Sequence, residues 1–262
     1  MADKSLTDDQ IKQQLLAENS KNINDSKGKV EYKFPTEVIE LPSKGKLYPD
    51  GHPLQSGTIE LKYMTAKEED ILTSQNLIQK GVVLDRLLRA LIVTPCNYDD
   101  ILIGDKNAIM IAARVMGYGS EYKVEIEDPF TPGEKQQTVV DLQQLQDAEV
   151  DWNLIGDENA FDFELPTAKR TITFKLLTHG DEGKITEEVK ALKKNFKNRG
   201  YAGVDAQLST RLKHMILAVD GDTTPKTIRE FVDNQFLSRD TRAFREQIKK
   251  VSPDIDMTFT FV

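Results

Sequence analysis

Apolar residues change their spacing along this chain, and each change predicts a different element. Residues 58–63 alternate apolar and polar side chains, the pattern of a half-buried strand. Thr65 and Glu68 then stand three apart ahead of Ile71 and Leu72, the arrangement of a capping box in which each side chain satisfies a backbone donor at a helix start. Gly81 precedes Leu84, Leu87, Leu88, Leu91 and Ile92, which recur as one buried helical stripe. Gly104 and Asp105 open a third helix, with Asp105 as its expected cap, and Gly117-Tyr118-Gly119 closes it.

Beyond Tyr118 the period becomes two. Tyr122, Val124 and Ile126 can pair with Thr138, Val139 and Val140 across the turn residues Asp128-Pro129-Phe130-Thr131-Pro132-Gly133. A second alternating pair, Phe161, Phe163, Leu165 and Ile172, Phe174, Leu176, flanks Pro166-Thr167-Ala168, and the two pairs together predict a small antiparallel sheet. Residues 141–158 read as a short helix and loop, with Trp152 as a partly buried anchor.

Helical spacing returns toward the C-terminus. Ile185, Val189, Leu192 and Phe196 form one face, and Leu208, Leu212, Met215, Ile216 and Val219 a second, closed by Gly221. Thr224 before Pro225 marks another helix with Ile228, Phe231 and Val232 inward, and Ser238 is the expected cap of the last, which buries Phe244, Ile248 and Val251. Its other face carries Arg239, Arg242, Arg245, Lys249 and Lys250, a solvated face or one complementary to an acidic partner. Residues 257–262 alternate as a closing strand, which either completes the internal sheet or adds to a neighbour's edge.

These elements predict an α+β fold: a helical core, an inserted small antiparallel β module, and extended N- and C-terminal segments. The expected divisions are a flexible arm over residues 1–33, the first part of the helical core with a short β element over 34–118, a β-rich insertion over 119–178, and a helical part ending in a strand over 179–262. The insertion is expected to protrude, and its removal to leave the helices folded. The arm lacks enough apolar material to offset its ordering entropy by itself.

Composition narrows the function classes. Among 262 residues, 43 Asp and Glu outnumber 35 Lys and Arg, and the net charge of −8 argues against general affinity for nucleic acid or anionic membrane surfaces. No stretch has the length of a membrane span, and the sequence does not open on a signal peptide. A single cysteine, Cys96, excludes an intramolecular disulfide and a multi-cysteine metal cluster, and reads as a small core or loop residue in a reducing compartment.

Four segments, residues 41–48, 64–72, 104–114 and 118–122, carry a resemblance to the T4-type bacteriophage baseplate hub protein family. It is strongest over residues 34–122 and looser toward Asp256. The resemblance implies a hub component or a factor that helps the hub assemble, partnered by other hub or wedge proteins or copies of itself, located in the virion tail baseplate and in the host cytoplasm during assembly. It carries over no catalytic residues. Family members often hold cysteine pairs in the hairpin after the third helix; here Asp128 to Gly133 stand in that place, so a zinc knuckle is in doubt.

The residues recommend no enzyme and no cofactor. His52, His179 and His214 show no metal-binding spacing, no phosphate-cradling glycine loop is present, and Asp220, Asp222, Asp254 and Asp256 flank helix ends where Asp serves turns and caps. A divalent-metal hydrolase using Asp220, Asp222 and His214 is the reading from another class. The expected partner-binding residues are Pro42, Ser43, Lys44, Gly45 and Tyr48 in an extended loop, with Phe259 and Phe261 in the closing strand; loop, arm and strand are expected to become ordered chiefly in an assembly.

Overall fold

Thr36–Glu40 (β1) and Thr58–Lys62 (β2) pair antiparallel, with Ile39 opposite Ile59. The computed structural model describes residues 35–127, 135–198 and 206–259; the 1–33 arm, the 128–133 turn and Phe261 lie outside them. After β2 come the helices Ala66–Thr73 (α1), Gln75–Lys80 (α2), Val83–Leu91 (α3) and Ile103–Tyr118 (α4). Glu121–Glu127 (β3) and Lys135–Asp141 (β4) form the first hairpin. Phe161–Glu164 (β6) and Thr171–Phe174 (β7) form the second, separated from the first by two 3-10 turns and the short strand Gln146–Asp147 (β5). Helices His179–Asn198 (α5) and Gln207–Met215 (α6), strand Ile216–Val219 (β8), helices Pro225–Asn234 (α7) and Ser238–Val251 (α8), and strand Ile255–Asp256 (β9) complete the α+β fold.

Thr65 and Glu68 form the expected capping box at the start of α1, and Gly81 ends α2 with its φ at 69°. In α3 the stripe holds for Leu87, Leu88 and Leu91, but Leu84 is 46% exposed. Asp105 is not the cap of α4: the helix begins at Ile103 behind Leu102, and Asp105 sits in its first turn with another use. Leu237, not Ser238, precedes α8 in the capping position.

The sheets depart further from expectation. The two hairpins do not join: among the described residues β3 and β4 form a two-stranded sheet, while β6, β7 and β8 make a separate three-stranded one in that order. Ile216 and Val219, read as the end of a helix, instead leave α6 and run antiparallel to β7, Val219 opposite Ile172. Spacings of three and four residues suit a helix, but a short apolar run with β-branched ends suits a covered strand equally. The second hairpin therefore belongs to the main core. Phe161, Leu165, Ile172 and Phe174 are buried there with Phe231 and Phe244, the Phe174 ring meeting Phe244 edge-on at 4.8 Å. Asp240 from α8 also fixes its turn, accepting the Thr167 and Ala168 N–H groups at 2.7 and 3.0 Å. Residue 178 is thus no seam, and the described residues from Thr36 onward form one compact unit.

Nor do residues 257–259 form a strand. Among the described residues the last pairing is that of Ile255 and Asp256 with Asp147 and Gln146 of the same chain.

Candidate partner-binding surface

The 42–48 loop is part of the fold. Asp105, buried in the first turn of α4, accepts the Ser43 N–H at 3.0 Å, the Ser43 hydroxyl at 2.7 Å and the Tyr48 hydroxyl at 2.7 Å. A carboxylate beside the free N–H groups of a helix start gains from the helix dipole, and the Tyr48 oxygen in turn accepts the Leu102 N–H at 3.1 Å. Burial pushes the Asp105 carboxyl above its ordinary pKa against the pull of these hydrogen bonds. Burial also raises Tyr48, so its hydroxyl stays a donor.

Each expected binding residue of the loop has a place in this lock. Pro42, Ser43, Gly45 and Tyr48 are buried. Gly45 has φ 75°, and a Cβ there would lie 2.2 Å from the Gln55 carbonyl oxygen, so the loop closes on the turn Pro53–Ser56 at a distance only glycine allows. Lys44 alone among the five reaches solvent, and its ammonium sits 4.8 Å from the centre of the Trp152 ring, with Lys46 at 5.4 Å. Extended backbone and turn residues had suggested a loop waiting for a partner; Leu41, Leu47 and Tyr48 supply the apolar anchors that order it within the chain.

The neighbours of Asp105 reach three other regions. A Cβ on Gly104 would meet the Pro253 carbonyl oxygen at 1.8 Å, so the C-terminal segment rests directly on the helix. Asn107 donates to both Asp254 oxygens, at 3.0 and 3.2 Å. Lys106 donates to Asp85 at 2.7 Å and lies 3.0 Å from His179 Nδ1. Four consecutive residues thus tie together the 42–48 loop, α3, α5 and the C-terminal segment. No spacing rule reveals such long-range partners.

Around Lys106 lies a polar cluster that the sequence did not announce. Tyr98 donates to Asp85 at 3.1 Å and meets the His179 ring edge-on at 4.5 Å. Burial would raise Asp85, but the hydrogen bond and charge of Lys106 outweigh it and hold Asp85 below its usual value. Burial, then the nearby Lys106 charge, lowers His179 below its ordinary pKa, which favours the neutral ring, and Nδ1 without a proton can accept from Lys106.

An apolar groove lies open elsewhere on the surface. Met64, Leu84, Met110, Tyr118, Tyr122 and Met257 line a groove of about 370 Å³ between the first helices and the first hairpin. Leu84 (46%), Tyr118 (50%), Tyr122 (45%) and Met257 (50%) expose large side chains there. Arg114, the one charged residue lining the groove among the described residues, lies over the Tyr118 ring at 5.1 Å and donates to the Gly119 carbonyl at 3.1 Å. The signal in the sequence was the extra leucine of the α3 stripe, one more apolar residue than the core uses. Phe259 is exposed beside Val139 and Val140 of β4.

Asp220, Asp222 and His214 do not converge. Asp220 accepts the Thr171 N–H at 2.8 Å and pairs with Arg170. Asp222 accepts from the Thr224 N–H and the Thr227 hydroxyl, both at 2.8 Å, and His214 pairs with Glu188 at 2.9 Å. Among the described residues no group of three or more potential metal ligands forms, and no helix is long and apolar enough to cross a membrane. Cys96 is partly buried, and burial raises its thiol above the ordinary range.

No protein-family model matches this sequence, and neither a curated protein nor a solved structure matches the chain.

Proposed function

We propose that this chain is a structural component of a phage tail baseplate, in its central hub, and works through protein contacts. The observation that carries the reading is the meeting of residues 41–48 with residues 104–107 around Asp105. Two of the segments on which the family resemblance rests are thereby parts of one buried lock, so they read as the signature of a fold. The groove at Met64, Leu84 and Tyr118 supports the manner of action, since exposed apolar grooves with adaptable methionines suit protein partners. Other hub or wedge proteins, or copies of this chain, are the proposed partners, and the mature virion is the proposed location.

Mass spectrometry of purified tails tests this reading. Peptides of this chain at a fixed ratio to the other hub proteins are the expected result. Their presence in assembling intermediates and absence from finished particles would make the chain an assembly factor that leaves, and absence from both would end the baseplate reading. Within the particle, Leu84→Lys is expected to lower incorporation without lowering the melting temperature of the free chain.

A further inference from the structure

A second groove is lined by other residues, and its chemistry differs. Leu208, Arg211 and Leu212 of α6 face Phe244, Arg245 and Ile248 of α8 across a space of about 370 Å³. Leu212 and Phe244 are buried in its floor, and Leu208 is 45% exposed. That volume falls toward the small end of ligand pockets, about 300–1,000 Å³, and has room for a bulky side chain.

The charges on its rim are unequal. Arg211 is paired with Glu182 at 2.5 Å. Asp254 also borders the groove, but its oxygens are taken by Asn107 and by the Ile255 N–H. Arg245 has no carboxylate partner among the described residues, and neither have Arg242 and Lys249, which lie three residues before and four after it on the same exposed face of α8. From Arg242 to Lys249 this basic ridge runs about 10 Å along the helix, at about 1.5 Å per residue. A chain of net charge −8 that keeps three neighbouring cations unpaired beside an apolar floor has a local field opposite to its overall one. A single small carboxylate would use one end of the ridge; a run of carboxylates on a polypeptide would use its length.

We infer that the groove between α6 and α8 is a docking site for an acidic, apolar protein segment. Such a segment inserts a large apolar side chain over Leu212 and Phe244 and lays carboxylates along Arg245, Arg242 and Lys249. The inference does not depend on the baseplate reading, because it stands on this groove and its charges alone.

Two synthetic peptides test it against the full chain by fluorescence anisotropy: an amphipathic helix of Glu, Leu and Phe, and its counterpart with Lys in every Glu position. The acidic peptide is expected to bind, more weakly as salt is added, and the basic one to bind at least about tenfold more weakly, as opposite and like charges at a rim require. Arg245→Glu, at an exposed position that leaves the fold intact by circular dichroism, should narrow or reverse that preference. Leu208→Gln should weaken both peptides and leave their ratio unchanged. Failure of the acidic peptide to bind, equal affinity for both peptides, or an unchanged preference in Arg245→Glu would overturn the inference. Tighter binding of a single-stranded oligothymidine than of the acidic peptide would overturn it in favour of nucleic acid.

Discussion

The β3–β4 and β6–β7 hairpins have the same alternating pattern and opposite fates. In the first, Tyr122 and Val139 remain 45% and 54% exposed, and among the described residues the sheet has two strands. In the second, Ile172 and Phe174 are fully buried, because β8 covers one side of β7 and α7 and α8 supply Phe231 and Phe244. Alternation of side chains thus defines two faces of a ribbon, but what covers a face is decided elsewhere in the chain. The second hairpin is stabilised by long-range packing and the first by its own ladder and by its junction with α4.

The sharpest way to break this comparison is deletion. Leu142 donates its N–H to the Ser120 carbonyl at 2.9 Å, so the ends of the first hairpin are close enough for a short glycine linker. Replacing residues 121–141 by such a linker is expected to preserve a cooperative thermal transition, while removing residues 161–174 abolishes it. Circular dichroism melting of the two deletions decides the matter, and two equal losses would show that the first hairpin is core as well. At single residues the contrast should persist: Phe174→Ala costs about 3–5 kcal/mol through the cavity it leaves, whereas Val139→Ala stays within about 0.5 kcal/mol. Urea denaturation of both variants measures the difference.

Asp105→Ala comes next in size. It leaves the Ser43 N–H, the Ser43 hydroxyl and the Tyr48 hydroxyl without their acceptor in a buried site, and an expected loss of about 2–4 kcal/mol follows from the cost of unpaired buried donors. Hydrogen exchange in the 42–48 loop should rise before that of the second hairpin, and equal increases would show that the lock and the core unfold together.

Smaller effects depend on pH. His179 has its folded pKa below the ordinary 6.5, so the unfolded chain takes up a proton that the native site resists. Its contribution is complete above the unfolded value and is lost as pH falls through it toward the folded value. Glu68 acts lower on the scale. Hydrogen bonds from Lys62 and Thr65 lower it from 4.5 to about 2 against opposing burial, and its stabilisation, present above the unfolded value, is lost as pH falls through about 2. Melting temperatures of the parent and of Glu68→Gln between these limits should converge as acid is added. A smaller change is expected for Thr65→Ala, about 1 kcal/mol for a lost cap.

Local chemistry was legible in the sequence where its partners are local. Thr65 with Glu68, Gly81 after α2 and Thr224 before Pro225 depend on residues a few positions apart, the two hairpins on strands that follow each other in the chain, and the structure has them. Asp105 shows the limit. An Asp at a helix start suggests a cap whether or not it reaches Ser43, 62 residues earlier, and only the tertiary fold decides. Ile216 and Val219 show another, since a short apolar run carries both periodicities until β7 claims it. Both grooves were visible only in part, as one leucine too many in α3 and as the basic face of α8.

The seat of Pro253 on Gly104 and of Asp254 on Asn107 bears on how the chain matures. Asp254 lies 147 residues beyond Asn107, so a ribosome adding about 5–20 residues per second takes roughly 7–30 s to deliver one after the other. Until residue 254 is made, the first turn of α4 lacks the contacts that Pro253 and Asp254 supply to Gly104 and Asn107.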